Sequence, residues 1–300
     1  MTLMTKPGVA SQGARDAMSP LRVEPEAIEE AAKLLYIRAC KILPDDIKAG
    51  FARLDGSETD ATAKTILATM IENIGVAERM DNLLCQDTGI PIFNVLIGRN
   101  VQVDGWALKQ AIAAGTARAT RDHPLRSSVV HPITRKNEHT SCGERVPVIN
   151  IDFTDVEREL RIEMIPKGSG SENGSFLQML IPADGVAAVK RFVVDRVIQA
   201  GGKVCPPTIV GVGVGGTSDL CMHLAKVAAT RPLGSRAAAE AVNSLGIGPQ
   251  GLGGDSTAFA VHVETAGTHI TMNPVAVNIQ CHSARRASAT FTPSGIEIGF

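Results

Sequence analysis

Three cysteines far apart in the chain, Cys85, Cys205 and Cys281, limit how it can fold more than any other feature. Each stands among polar or charged residues that suit a loop or the end of an element. Cys85 opens Cys-Gln-Asp-Thr-Gly-Ile-Pro, Cys205 opens Cys-Pro-Pro and runs into a glycine-rich stretch, and Cys281 opens Cys-His-Ser-Ala-Arg-Arg. Local zinc modules pair their cysteines as Cys-x-x-Cys, and this chain has no such pair. Any metal the three share must therefore be assembled by the tertiary fold. Three thiolates around an iron–sulfur cluster would leave one iron open, and an open iron is a Lewis acid.

A chain of 300 residues, 44% hydrophobic and 20% charged, can bury one large core or two modest ones. Its 30 basic and 31 acidic residues nearly cancel, so no global field points to nucleic acid or to an anionic membrane surface. No apolar run approaches the ~20 residues that span a bilayer, and the N-terminus lacks the apolar core of a secretory signal. A cytoplasmic location is expected, where six cysteines in so long a chain are thiols or metal ligands and not a disulfide scaffold. Cys40, Cys142 and Cys221 read as packing residues without a ligand role. With only Trp106 and Tyr36 beside its phenylalanines, the chain is poorly equipped to stack bases.

Residues 1–22 mix Gly, Ser, Pro and scattered charges without apolar periodicity and are expected to form a loosely ordered tail. Residues 23–300 then form one domain of mixed helices and strands, an α/β fold. Helical spacing is expected over 25–54, interrupted at Pro44, and over 59–80, 105–121, 184–200, 220–229 and 235–245. Strands are expected at 90–97, 209–214, 258–264 and 276–279, with 148–153 and 160–165 as a pair of strands. The small-residue stretch 167–174 reads as a loop.

Each motif has a plain reading beside the chemical one. Gln86-Asp87-Thr88-Gly89 would set an amide, a carboxylate and a hydroxyl beside any metal on Cys85, or it is a turn with Gly89 at positive φ. Cys205 is a ligand or a thiol packed before a buried strand. Gly211-x-Gly213-x-x-Gly216 matches the dinucleotide fingerprint in form, but about 20 positions on, where an acid is needed, the chain reads Leu233-Gly-Ser-Arg236 with none before Glu240, which leaves an NAD-dependent oxidoreductase as a distant alternative. Residues 167–174 could offer backbone N–H groups to a carboxylate or form a flexible surface loop, and 246–255 is a tight glycine-rich turn of the same kind. Taken singly, Arg126, His269, His282 and Arg285 read as solvated or satisfied side chains.

In sequence order, Cys85-Gln-Asp-Thr-Gly, Lys167-Gly-Ser-Gly-Ser-Glu-Asn, Cys205-Pro-Pro-Thr-Ile-Val-Gly-Val-Gly-Val-Gly-Gly-Thr, Gly246-Ile-Gly-Pro-Gln-Gly-Leu-Gly-Gly and Asn278-Ile-Gln-Cys resemble the α subunit of iron–sulfur class I fumarate hydratases and L(+)-tartrate dehydratases, from about residue 25 to 300. The resemblance implies a catalytic domain like the N-terminal half of class I fumarases. It implies a [4Fe–4S] cluster on Cys85, Cys205 and Cys281, with one open iron that binds substrate. By position it carries substrate contacts to Gln86, Asp87, Arg126, Gly170 and His269; in the hydration these imply, Asp87 is the expected catalytic proton carrier, Arg126 holds a carboxylate, and His269 donates to the carboxylate or tunes Asp87. The loop departs from the common Gly-Gly-Gly-Ser by reading Gly168-Ser-Gly-Ser, and Glu172 departs from some relatives. The resemblance further implies a smaller β subunit that completes the site, a dimer of heterodimers and a small dicarboxylate substrate. The activity expected is reversible hydration of fumarate to malate, with L(+)-tartrate dehydratase or mesaconate hydratase as the alternative and a non-catalytic scaffold subunit behind both.

Overall fold

In chain order the elements are β1 (Leu21–Arg22), α1 (Pro25–Lys41), α2 (Asp45–Ser57), α3 (Ala61–Arg79), β2 (Ile90–Ile97), β3 (Val101–Gln102), α4 (Gly105–Asp122), β4 (Val148–Phe153), β5 (Leu160–Lys167), a one-turn α5 (Ser169–Glu172), β6 (Ser175–Met179), α6 (Gly185–Ala200), β7 (Thr208–Val214), α7 (Ser218–Thr230), a one-turn α8 (Glu240–Asn243), β8 (Ala258–Thr265), β9 (Pro274–Gln280), β10 (Ala287–Thr292) and β11 (Gly295–Gly299). These come from a computed structural model that describes residues 19–234 and 239–300. Mixed helices and strands make the chain α/β, as its periodicity implies. Most of the expected tail lies outside the described residues; its end, Leu21–Arg22, is a strand paired in parallel with Val101–Gln102. The helix expected over 235–245 lies partly outside them, and what is described of it is the single turn α8.

Local chemistry sets the helix starts. Pro25 occupies the first turn of α1, where its missing N–H costs nothing. Asp60 accepts a hydrogen bond from Ala63 N at 2.8 Å to cap α3, and Asp104 accepts one from Ala107 N at 2.7 Å to cap α4. Pro44 separates α1 from α2, as expected.

Two mixed sheets organise the strands. The first has five strands in the order β11-β10-β5-β2-β4, and the second has four in the order β6-β9-β7-β8. β4 and β5 do not pair with each other as their closeness in sequence suggests. β2 lies between them, parallel to β4 and antiparallel to β5, and adjacency in the chain loses to a buried central strand. α1 and α4 cover one face of the five-stranded sheet, setting Leu35, Tyr36, Leu108 and Ile112 against Phe93 and Ile162. Side chains of α6 pack on Val210, Val212, Val277 and Ile279 of the four-stranded sheet. On its other face, a Cβ at Gly211 or Gly213 would collide with the α7 backbone at Ala225 O or Cys221 O. The fingerprint glycines therefore let a helix lie directly against a strand.

Between the helical layer and the 246–255 turn sits Glu58, 2% exposed, its carboxylate accepting backbone N–H bonds from Thr59, Asp60, Asp255 and Ser256 at 2.9–3.1 Å. Burial pushes this carboxyl up, but the donors from Asp255, Ser256, Asp60 and Thr59 together bring it below the usual glutamate range. A depressed carboxyl contributes stability that is present above the unfolded-state value of about 4.3 and is lost as pH falls through the folded one. Glu58→Gln, which turns an amide N–H₂ toward one of those donors, is expected to cost about 1–3 kcal/mol at neutral pH. In thermal melts the gap to wild type should close as the pH drops below about 4; a constant gap would show that charge is not what Glu58 contributes.

Candidate functional site

Strand register builds the first half of the site. β2 and β5 pair antiparallel with Ile90 opposite Lys167, so the residues before β2 face those after β5. Asp87 thereby reaches α5, where its Oδ2 accepts from Ser169 N at 2.7 Å and from Ser169 Oγ at 3.0 Å, while its Oδ1 accepts from Gly89 N at 3.0 Å. A carboxylate 82 residues upstream thus caps the one-turn helix, and the stretch expected to be a loop holds a tied helical turn. A Cβ on Gly168 would sit 3.1 Å from Asp87 Oδ2 and 3.4 Å from Arg285 Nη2, so the missing side chain makes room for both charged groups. Gly89 has φ +85°, and Tyr36 donates its hydroxyl to Gly89 O at 3.2 Å. Fully buried Thr88 accepts the Arg126 backbone N–H at 2.9 Å, which sets exposed Arg126 beside the Cys85 loop.

The second half comes from the other sheet. β7 and β9 are antiparallel with Ile209 opposite Gln280, so Cys205 before β7 and Cys281 after β9 emerge at one end. His282 N donates to Cys205 O at 3.1 Å, and the His282 ring sits 3.2 Å from the same oxygen. Burial pushes this imidazole down to about 4, so it is neutral at physiological pH. Cys205 itself lies in the left-handed region at φ 54°, a conformation non-glycine residues seldom adopt and one that gathers at functional sites. Gly170 in α5 packs against the preceding turn, its Cβ position 3.2 Å from Lys203 O.

Lys167 joins the two halves. At the end of β5 and 3% exposed, its Nζ donates to Ile279 O at 3.2 Å and to Gln280 Oε1 at 2.6 Å, bracing the strand that delivers Cys281. Burial pushes its ammonium down to about 8 against the pull of Glu172 and Cys281.

The three cysteines converge. Partial burial first, and then the negative charges of Cys281, Cys85 and Asp87, push the Cys205 thiol above its ordinary value, so these four groups lie within electrostatic reach of one another. All three cysteines are partly exposed. Among the described residues no group of three His, Cys, Asp or Glu side chains is arranged to hold a metal ion. Such an ion needs every donor about 2.0–2.6 Å from one point, whereas a cluster presents a separate iron to each thiolate. Soft sulfur donors from three segments, and a buried guanidinium with unmade hydrogen bonds beside them, suit an iron–sulfur cluster. Cys40 is close by but different in kind: burial pushes its thiol up to about 11 while Arg285 pulls it down, and it stays protonated. Cys142 and Cys221 turn their thiols to backbone carbonyls of Ala113 and Gly213, in keeping with packing roles.

The expected site residues do not all meet. Cys85, Gln86, Asp87 and the Arg126 backbone share one loop cluster, and Gly170, Cys205 and Cys281 adjoin it. His269 is elsewhere, in the exposed turn between β8 and β9, beside Gly216 at the far end of β7. The length of β9, about 20 Å, separates it from Cys281 within this chain. Its ring contacts Thr271 Oγ1 at 3.0 Å. Arg285 departs from its plain reading in the opposite sense, being 2% exposed with Nε and Nη1 unpartnered. Ser169 and Lys167 are further contributors that residue type alone did not single out; the antiparallel return of β5 beside the Cys85 loop puts them there.

A cavity of about 220 Å³, lined by Asn94, Asn150, Lys167, His223 and Lys226 among others, lies between α7 and the five-stranded sheet and includes none of the three thiols. No helix among the described residues is long and apolar enough to cross a membrane.

A family model described as Fumarate hydratase (Fumerase) matches residues 29–290. A Methanocaldococcus jannaschii protein provisionally named L(+)-tartrate dehydratase subunit alpha is 42% identical over 273 residues, which is 87% of this chain and 96% of that protein. The L(+)-tartrate dehydratase subunits alpha of Escherichia coli K12 and Shigella sonnei are each 32% identical over 260 residues, covering 82% of this chain and 84% of theirs.

Proposed function

Because the chain belongs to the fumarate hydratase (Fumerase) family of hydro-lyases, we propose that it is the α subunit of an iron–sulfur hydro-lyase that reversibly adds water to a small unsaturated diacid, fumarate giving malate. The observation that carries this reading is the convergence of Cys85, Cys205 and Cys281 beside an anchored Asp87. A second reading, L(+)-tartrate as the substrate, is favoured by the names of the relatives.

A [4Fe–4S] cluster held by the three thiolates would supply an open iron as a Lewis acid for the departing hydroxyl. Asp87 is the proton carrier. A carboxylate has about four lone-pair sites; Oδ2 accepts two hydrogen bonds and Oδ1 one, leaving a lone pair of Oδ1 to receive or return the proton of the leaving oxygen. Because the three bonds fix the carboxylate plane, that lone pair is aimed before substrate arrives, and the transfer needs no reorganisation. Arg126, exposed beside Thr88, is free to swing its guanidinium onto a substrate carboxylate in a charge-assisted fork. Gln86 lies next to the Cys85 thiol, 3.7 Å from Sγ to Oε1, and would hydrogen-bond the substrate at the same edge; Gly170 would bring its backbone close to a second carboxylate.

The partial exposure of all three cysteines supports a further part of the reading: a β subunit covers this face, excludes water and supplies the base for the carbon-bound proton. His269 would join such a site only from another chain, given its place at the far end of β9. Residues 23–300 would act as one catalytic unit. The test is anaerobic co-production with the product of an adjacent reading frame, iron–sulfur reconstitution, and parallel assays of malate, L(+)-tartrate and mesaconate. Turnover of malate above the others supports the first reading, and dominant tartrate dehydration replaces it with the second. A reconstituted complex that holds iron but dehydrates or hydrates no diacid sinks both.

A further inference from the structure

The least explicable group in the molecule is Arg285. It is 2% exposed, yet its Nε and Nη1 have no hydrogen-bond partner. Its sequence neighbour Arg286, about equally buried, also has Nε and Nη1 unpartnered, but its charge is met by a carboxylate: Nη2 donates to Asp46 at 2.7 Å. Arg285 has no carboxylate within ion-pair distance among the described residues. Leaving a cation in this condition costs several kcal/mol, and a fold does not retain it without a compensating anion.

The surroundings show where that anion belongs. Nη2 flanks Gly168 opposite Asp87, and the groups whose negative charge opposes the desolvation of the guanidinium are Cys40, Cys281, Cys85 and Asp87. Cys40 stays a neutral thiol, which leaves the two cysteines proposed as ligands and the carboxylate between them. The three cysteines are partly exposed and Arg285 is not, so the guanidinium lies deeper than they do and a diacid entering from solvent meets the cysteines first. Asp87 is already committed to Ser169 and Gly89.

Building on the proposed iron–sulfur reading, we propose that Arg285 is the buried counter-charge of the cluster: its unpartnered N–H groups donate to the sulfur atoms on the protein-facing side, holding the anionic cluster in place without touching substrate. Three thiolates outweigh the positive charge of the core, so the assembled group is the anion Arg285 lacks. Arg285 is thus a positioning residue for the cofactor. In the apo-protein the same side chain is a liability.

That asymmetry gives the test two readouts of opposite sign. Arg285→Met and Arg285→Lys are compared with wild type, first as apo-protein by thermal melting, then after anaerobic reconstitution by iron and sulfide content, cluster reduction potential and rate of bleaching in air. Arg285→Met is expected to melt no lower than wild type when apo, since a buried unpaired charge is gone. Once loaded it should retain its cluster about ten- to a hundredfold less well and show a more negative potential, because a nearby positive charge favours the reduced cluster. Arg285→Lys should fall between the two. If Arg285→Met keeps its cluster as long as wild type at the same potential, or if its apo form melts well below wild type, the counter-charge role is wrong and the residue is structural. A wild-type protein that takes up no iron and sulfide would instead overturn the cluster reading on which this rests.

Discussion

Serine at position 85, 205 or 281 is expected to leave the assembled protein unable to hold its cluster and without hydro-lyase activity, while serine at position 40 or 221 leaves both intact. The difference follows from where each sulfur sits. Cys85, Cys205 and Cys281 are partly exposed at one junction of two sheets and feel one another's charge. Cys221 is fully buried against Gly213 O at 3.3 Å, and Cys40 is 1% exposed with its thiol held up near 11. A hydroxyl can replace a thiol that donates a weak hydrogen bond, but it is a harder and far less acidic donor to iron. Substitutions behind a metal ligand typically cost ten- to a hundredfold, so losing a ligand should lower iron retention and turnover by at least about a hundredfold. Iron content, the visible absorbance of the cluster and initial rates on the diacid check this together. Full iron in any of the three serine variants would remove that cysteine from the ligand set, and loss of iron in Cys221→Ser would show that the measurement follows folding and not ligation.

The sequence is most legible where chemistry and periodicity coincide. Ile90–Ile97 stands out by apolar run length, and the three cysteines by polar contexts that a packed thiol does not need. β10 and β11 are missed because the apolar positions of Ala-Ser-Ala-Thr-Phe-Thr and Gly-Ile-Glu-Ile-Gly alternate but are mostly small or few, a weak signal; they are strands because they extend the edge of an existing sheet. The link from Asp87 to Ser169 is invisible for another reason. It depends on which strand inserts between β4 and β5, and no local preference encodes that choice. Arg285 escapes because arginine is ordinarily a surface residue, and only the coordinates show one buried with its donors idle. Tertiary pairing thus decides what residue type leaves open, and the site lies where both sheets end.

Asp87→Asn should keep a fully loaded cluster and lose about 10²- to 10⁴-fold in turnover on the diacid, the usual contribution of a positioned proton carrier. Two effects are mixed in this substitution, and the geometry separates them. An amide offers one oxygen and one N–H₂, so either the Gly89 N–H or the paired Ser169 donors must face another donor, costing about 1–3 kcal/mol locally and loosening the loop that carries Cys85. Ser169→Ala removes the hydroxyl bond while the Ser169 N–H remains on Oδ2, and so loosens the same carboxylate without changing its charge. A positional role predicts that Ser169→Ala loses turnover in proportion to its loss of stability, close to Asp87→Asn. A proton-carrying role predicts that Ser169→Ala stays within a few-fold of wild type, about the worth of one neutral hydrogen bond, while Asp87→Asn collapses. Thermal melts and iron content measured alongside kcat fix the comparison, since both variants must be folded and loaded for it to count. Should Asp87→Asn turn over at the wild-type rate, the proton passes through another group, and the three bonds to Asp87 serve only to hold α5 against the Cys85 loop.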